Sequence, residues 1–368
     1  MDSMVHLVLT LDYEIFGNGA GDVRRDMIAP TDAVLDVCER YGAKLTIMFE
    51  TAEYWAFEGN REALTADLGY DPAHEMKEQA ANAIERGHDV QLHIHPQWVD
   101  ARYSEGRWRF VIDSWRLADL PHGFGDEADI YSITGALRRG KDTIETIAHR
   151  AKPDYACRVF RAGGLLAQPS ATIISAMKAV GLVADSSVVR GYRADVPFAV
   201  DYSEISAQKD CWWTTSQSLT TEGRPGEGVM EFPISSQYQP YWMSLKPSKL
   251  VTTLKRKYTQ RKTPPATGAS ESRLSVPSAK TVLHRMLTSH PSCFDFCKLS
   301  CRDMCRRVER SLSHGGDTVC VLIGHSKDFF NPVPLDHFLR TMSARSDVRF
   351  ETFADVVHRA ATSTIGST

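Results

Sequence analysis

The sequence predicts an α/β fold: a parallel sheet wound with helices and closed, or nearly closed, into an irregular (β/α) barrel of about seven to eight strands with surface insertions. Three observations predict it. Short apolar runs recur along the chain, helical patterns separate several of them, and residue after residue with titratable or metal-binding chemistry follows those runs. An open, doubly wound sheet is the alternative assembly of the same units.

The first run is His6–Leu11. Lys44–Phe49 follows a helix patterned on Ala33, Val34, Val37, Cys38 and Tyr41, which stops at Gly42, a normal C-terminal signal. Asp89–Leu92 follows a helix from about Pro72 that again stops at a glycine, Gly87. Arg158–Phe160, Gly181–Ala184, Val229–Phe232, Val319–Ile323 and Arg349–Phe353 complete the set. Strands alternating with helices imply parallel pairing through right-handed crossovers. Two insertions interrupt the rhythm, at about 98–130 and 190–313. The first carries Trp98, Trp108 and Trp115 among charges and reads as a surface excursion. In the second, the basic run Lys255–Lys262 leads into a Pro/Ser-rich stretch, and a mobile loop is expected over about 255–278. One domain is expected over 1–358, with 359–368 as a flexible tail.

Composition narrows the function. At 42% hydrophobic and 24% charged, the 368 residues can bury a substantial core. A net charge of −3 gives no positive field for nucleic acid. No run approaches the roughly 20 apolar residues of a membrane helix, and no secretion signal is recognisable, so a cytoplasmic location and reduced thiols are expected. The sequence specifies no oligomeric state. Cys293, Cys297, Cys301 and Cys305 recur every four residues, and an amphipathic helix over 294–308 that packs its thiols is expected there. Trp212, Trp213 and the stretch Tyr238–Trp242 are either stacking platforms for a sugar ring or insertion core.

Catalytic side chains of a parallel barrel sit at the carboxyl ends of its strands. Asp12 and Glu14 follow the first run, His93 and His95 the third, Arg161 and Asp185 the next two, and His325 the run Val319–Ile323. Residues i and i+2 of an extended segment share a face. Two adjacent carboxylates repel, so Asp12 and Glu14 call for a proton or a cation. The same spacing lets His93 and His95 reach one ion, and imidazole is the commonest zinc ligand. Two imidazoles and a carboxylate leave a position for water, whose pKa the metal brings to about 7. A second carboxylate can take the water's proton, and a histidine opposite can protonate a leaving amine. This constellation describes a hydrolase for an amide or ester. His88 reads as a helix-end residue.

These residues resemble the motif series of the polysaccharide deacetylase family, also called NodB-like or carbohydrate esterase family four. Thr10–Glu14 resembles its strand ending in paired acids, Gly87–Val90 its lead into a metal-binding histidine (here His93), and Phe160–Gly164 its arginine motif. Gly181–Asp185 and Leu322–His325 resemble its last two. The five occur in the family's order. The chain departs from the family in three places: Tyr13 separates the two acids, Gln97 stands where the second histidine usually lies, and the arginine motif lacks its proline and aromatic. The resemblance implies a distorted (β/α) barrel and a metal site of Glu14, His93 and His95 for one divalent ion, zinc or else cobalt, manganese or iron(II). It implies Asp12 as general base, Arg161 paired with it, His325 as general acid and Asp185 orienting His325; the Asp12/Glu14 split is open to exchange. The implied substrate is carbohydrate: the N-acetyl group of an amino sugar in a nucleotide-linked or lipid-linked glycan precursor. The alternatives are another small amide or O-acetyl ester, or a non-catalytic glycan-binding barrel. Ser326-Lys327-Asp328, on the same rim, is expected to face a polar substrate.

Overall fold

The computed structural model describes residues 3–195, 199–205, 209–240, 289–313 and 315–365. Apolar runs buried on both faces become parallel strands, because such strands lie between a filled interior and an outer layer of helices. They are β1 (Val5–Tyr13), β2 (Leu45–Glu50), β3 (Asp89–Ile94), β4 (Val159–Ala162), β5 (Ala184–Asp185), β6 (Met230–Glu231) and β7 (Thr318–His325). Their spatial order is β6-β5-β4-β3-β2-β1-β7, with every neighbouring pair parallel. Past β6 the chain stays extended. Ile234 bridges Val189 on one side and Val321 of β7 on the other, and the Ser235 N–H donates to the Val321 carbonyl at 3.0 Å. The sheet thus returns to β7, and the barrel rather than the open sheet is formed. The eighth run, Val348–Phe350, pairs only with Val5–Leu7 at the start of β1 and is not a full stave.

Helices α1 (Ala29–Arg40), α2 (Thr51–Gly59), α3 (Arg61–Leu68), α4 (Pro72–Glu85), α5 (Ile133–Ala148), α6 (Ser170–Ala179), α7 (Cys301–Ser313), α8 (Val333–Ser343) and α9 (Phe353–Ile365) accompany the strands. Local chemistry sets the ends of α4. The Asp71 carboxylate accepts the His74 N–H, Pro72 occupies the first turn, and Gly87 leaves the helix at φ 80°. Inside the barrel, Val8, Met48, Val159, Ala184, Met230, Val321 and Ile323 form an apolar cluster separate from the larger core. Phe353, Val356 and Val357 of α9 join it and close one end. There the Phe353 N–H donates to Thr46 Oγ1 at 3.0 Å and the Ala354 N–H to Asp89 Oδ2 at 3.2 Å. Asp89 also accepts the Tyr155 hydroxyl at 2.6 Å, so this residue of the second motif anchors the closed end. The strand carboxyl ends form the opposite end.

Two local expectations are corrected. Trp98 and Trp108 are buried and pack edge-on to each other at 5.0 Å, so these two rings are core, while the hairpin Arg102–Ser104 and Arg107–Arg109 that carries Trp108 is otherwise largely exposed. The helix expected over 294–308 begins at Cys301. Before it, the Phe294 N–H donates to the Ser235 carbonyl and the Phe296 N–H to the Ile323 carbonyl, and these sheet-like bonds keep the segment extended. Cys293 and Cys297 therefore precede the helix, while all eight cysteines are free thiols, as expected. Residues 359–365 lie on α9, with Ala360 packed on the barrel's apolar cluster. Trp212 is buried, its indole N–H donating to the Leu219 carbonyl at 3.0 Å. The expected mobile loop over 255–278, and Tyr241 and Trp242, lie outside the described residues. No helix among the described residues is long and apolar enough to cross a membrane.

Candidate active site

The two-residue period of a strand carries each interior row past the apolar cluster to the polar rim. Val8 leads to Thr10, Asp12 and Glu14; Met48 to Glu50; Gln91 to His93 and His95; Val159 to Arg161. Register sets these rows against each other. Asp12 lies opposite His325, Glu50 opposite His93, and His93 opposite Arg161. Asp12, Glu14, Glu50, His93, His95 and Arg161 are all buried. The His325 side chain is 25% exposed, so it marks the open side of the group.

Glu14, Glu50, His93 and His95 each offer a donor atom, and the four lie within 4.8 Å of one another. Glu14 Oε2 is 3.0 Å from His95 Nδ1 and 3.6 Å from His93 Nε2, and Glu50 Oε2 is 2.8 Å from His95 Nδ1. Tetrahedral ligands with bonds of 2.0–2.1 Å stand about 3.3 Å apart, so these separations suit a small divalent ion. His93 decides the fit. Its Nδ1 contacts the Arg161 carbonyl at 2.9 Å, and only an N–H can satisfy that oxygen, which turns the Nε2 lone pair toward Glu14. His93 Nε2 is buried and has no hydrogen-bond partner. Burial disfavours its charged form, yet Asp12, Glu14 and Glu50 overcome this and raise its pKa to about 9. Carboxylates that hold a proton so firmly would hold a divalent cation, which binds imidazole by displacing that proton. Gly163 makes room for His95: a Cβ there would lie 2.5 Å from the ring's Cδ2. Trp115 meets the same ring edge-on at 6.3 Å.

Asp12 belongs to a different set of partners. Its Oδ1 accepts from Arg161 Nη1 at 2.5 Å, and its Oδ2 lies 3.6 Å from His325 Nε2. Burial would raise the Asp12 pKa, but Arg161, then His93 and His325, outweigh it and bring the pKa below the usual value. Arg161 is wholly buried and also donates to Thr10 Oγ1 and to the backbone and hydroxyl oxygens of Ser186. For His325, burial lowers the pKa more than Asp12 raises it. Burial therefore favours the neutral imidazole.

Asp185 does not reach His325. Its carboxylate accepts from the N–H and hydroxyl of Ser187, at 2.8 and 3.0 Å, and faces Glu231. The reason is topological: β6 stands between β5 and β7. Lys327 is also placed otherwise than expected. It is buried, with Nζ 2.7 Å from Glu14 Oε1 and 2.8 Å from the Ile15 carbonyl, so its ammonium is committed to holding Glu14. Against burial, Lys327 and then His95 and His93 draw the Glu14 pKa well below its ordinary value. The hydroxyl of Ser326 donates to the Glu14 carbonyl at 3.2 Å. Gly324 lies within β7, where a Cβ would meet the Phe296 ring at 2.3 Å. Gln97 is buried beside Gly17 and is not one of the clustered donors. His88 receives the Leu45 N–H on Nδ1 and faces Glu39 through Nε2, a structural role.

Glu50 is the donor that sequence reasoning missed. It is the last residue of β2, so the search at strand ends that found Asp12 and His93 would have found it had the run not been ended at Phe49. Its Oε1 caps α2 by accepting the Ala52 and Glu53 N–H groups at 3.0 and 3.3 Å, which leaves Oε2 for His95. Nothing local marks Glu231 or Lys327, whose partners come from distant strands.

No protein-family model matches the chain, and no curated protein matches it. Among solved structures, it is similar to a Mycobacterium smegmatis chain assigned as a polysaccharide deacetylase, with a TM-score of 0.46, 11% identity, and coverage of 99% of this chain and 92% of that one. It is also similar to Puue allantoinase, with a TM-score of 0.44, 9% identity, and coverage of 96% and 89%. A Pseudomonas aeruginosa chain assigned as a polysaccharide deacetylase gives a TM-score of 0.43, 9% identity, and coverage of 97% and 91%.

Proposed function

We propose that the chain is a metal-dependent hydrolase that removes the N-acetyl group of an amino sugar in a nucleotide-linked or lipid-linked glycan precursor. One observation carries the reading. On the strand-end rim, the donors Glu14, Glu50, His93 and His95 converge beside a separate ionised carboxylate, Asp12, and an imidazole 3.6 Å from it, His325. The amino-sugar substrate rests on the order of the five motifs.

A divalent ion held by Glu14, His93 and His95, with zinc the first candidate, would supply a water of pKa about 7 and polarise the scissile carbonyl. Asp12, kept ionised by Arg161, accepts that water's proton. His325 then needs a proton to give to the departing amine, since an amide anion is too basic to leave. Asp12 Oδ2, 3.6 Å from His325 Nε2, is where that proton has just arrived. Lys327 occupies Glu14 Oε1 and so presents only Oε2 toward the histidines. The partial exposure of His325 supports substrate entry from its side of the cluster.

Glu50 favours a second reading. As a fourth donor it would complete a tetrahedron, the form of a structural site with no place for water. As a hydrogen-bond acceptor from His95 it would leave the catalytic position open. The test is acetate release across a panel of N-acetylated nucleotide sugars, with and without a chelator, in wild type and Glu50→Gln. Chelator-sensitive release supports the hydrolase. A chain that holds its metal but releases nothing from acetamides, formamides, ureides or O-acetyl esters supports the closed site.

A further inference from the structure

The rim contains a second acidic pair that the proposed reaction does not use. Asp185 and Glu231 are Cα partners on β5 and β6, both fully buried, with their carboxyl groups in hydrogen-bonding reach of each other. Glu231 Oε1 accepts the Val188 N–H at 3.2 Å, whereas Glu231 Oε2 is buried and has no donor among the described residues. Among the described residues no cation forms an ion pair with either acid, although the charge of Arg161 reaches both and that of Arg190 reaches Glu231. Arg161, on the adjacent β4, directs its nitrogens to Asp12, Thr10 and Ser186. Arg190 lies over the Trp212 ring at 5.1 Å. The Tyr202 hydroxyl donates to the Leu165 carbonyl at 2.7 Å and accepts the Ala167 N–H. Two neighbouring buried carboxylates without a paired cation disfavour double ionisation, and one of them keeps a proton.

We infer that Asp185 and Glu231 share one proton, carried on Glu231 Oε2 and donated to Asp185, and that Glu231 is thereby a positioning residue that leaves Arg161 to Asp12. The proton gives the orphaned oxygen its hydrogen bond and cancels one of two buried charges. Burial, and then Asp185 itself, push the Glu231 pKa well above the carboxylate range, in keeping with this geometry. With both acids ionised, the Arg161 guanidinium would be drawn toward a doubly charged pair and away from Asp12. Only this positioning consequence rests on the hydrolase reading; the shared proton does not.

Infrared difference spectroscopy at neutral pH, wild type minus Glu231→Gln, tests the proton directly. A glutamine can donate its amide N–H to Asp185 and accept the Val188 N–H, so E231Q keeps the packing. The expected result is loss of one protonated-carboxyl C=O stretch in E231Q. A parallel test uses urea midpoints. A carboxyl whose folded pKa is raised contributes stability that is full below its unfolded pKa and is lost as pH rises toward the folded pKa. The wild-type midpoint should therefore fall relative to that of E231Q between about pH 5 and pH 8. No lost stretch, with midpoints that run parallel, would overturn the shared proton. For positioning, Glu231→Ala should move the acid limb of the hydrolysis profile to higher pH, and E231Q should restore it. Unmoved limbs in both variants would overturn that role while leaving the infrared result standing, and an inactive wild type would count against the hydrolase alone.

Discussion

Replacing Arg161 with methionine should destabilise the protein through Asp12 rather than through lost packing. Methionine fills much of the same volume, so the side chain's apolar contacts largely survive. What disappears is the cation 2.5 Å from Asp12, in a pair whose side chains are 0% and 4% exposed. Thr10 Oγ1 and the two Ser186 oxygens also lose a donor. Removing one partner of a buried ion pair costs about 3–5 kcal/mol, because the other charge is left uncompensated. The cost depends on pH in a defined direction. In the wild type the depressed Asp12 pKa contributes stability that is present above the unfolded pKa and lost as pH falls through the folded one. In Arg161→Met, burial raises the Asp12 pKa, and stability is instead lost as pH rises. The difference between the two proteins should be large at pH 7 and shrink toward pH 4. Urea unfolding followed by far-ultraviolet circular dichroism measures it. The double variant Arg161→Met with Asp12→Asn, in which neither member of the pair is charged, should recover most of the loss at pH 7. A single-variant cost under about 1 kcal/mol, a cost equal at both pH values, or a double variant no more stable than the single one would refute this account of the pair.

Three further outcomes follow from the site. Asp12→Asn should keep metal and lose turnover by roughly 10²–10⁴-fold, the usual cost of a missing general base, whereas Glu14→Gln should lose metal affinity; the opposite pattern in elemental analysis and rate would exchange the two roles. His325→Ala should cost roughly 10²–10⁴-fold on an amide at unchanged metal content, and much less on an aryl ester, whose leaving group needs no proton; equal losses on both substrates would leave His325 with substrate positioning only. Gly163→Ala places a methyl 2.5 Å from His95 Cδ2 and 2.7 Å from the Ile94 carbonyl, so the ring must move. Metal affinity, read by competition with a chromophoric chelator, should fall by about 10–100-fold, and an unchanged affinity would mean that the ring has other room.

The barrel was legible because its strands are buried on both faces and so appear as unbroken apolar runs. All eight runs became strands. Their ends were less legible, because the chemistry sits on the last residues of the strands themselves. Asp12, His93, Arg161 and Asp185 continue the ladder, and Glu50 was lost when its run was closed one residue early. Glu50 also heads α2, where an acid is an ordinary cap. Pairings between side chains were least legible. Sequence order says that Asp185 and His325 both end strands, but not that β6 separates them. Likewise, nothing near Lys327 in sequence indicates that it folds back onto Glu14, 313 residues away. The buried indoles of Trp98 and Trp108 were read as surface because charges flank them, whereas the chain turns those rings onto Phe57.

The central claim is that Glu14, His93 and His95 hold one divalent cation, with Glu50 beside them. Elemental analysis of purified wild type and of the double variant His93→Ala, His95→Ala tests it most directly. The account predicts about one divalent transition metal per wild-type chain, with zinc foremost, and none in the double variant at an unchanged circular dichroism spectrum. Wild-type stoichiometry in the folded double variant would contradict it.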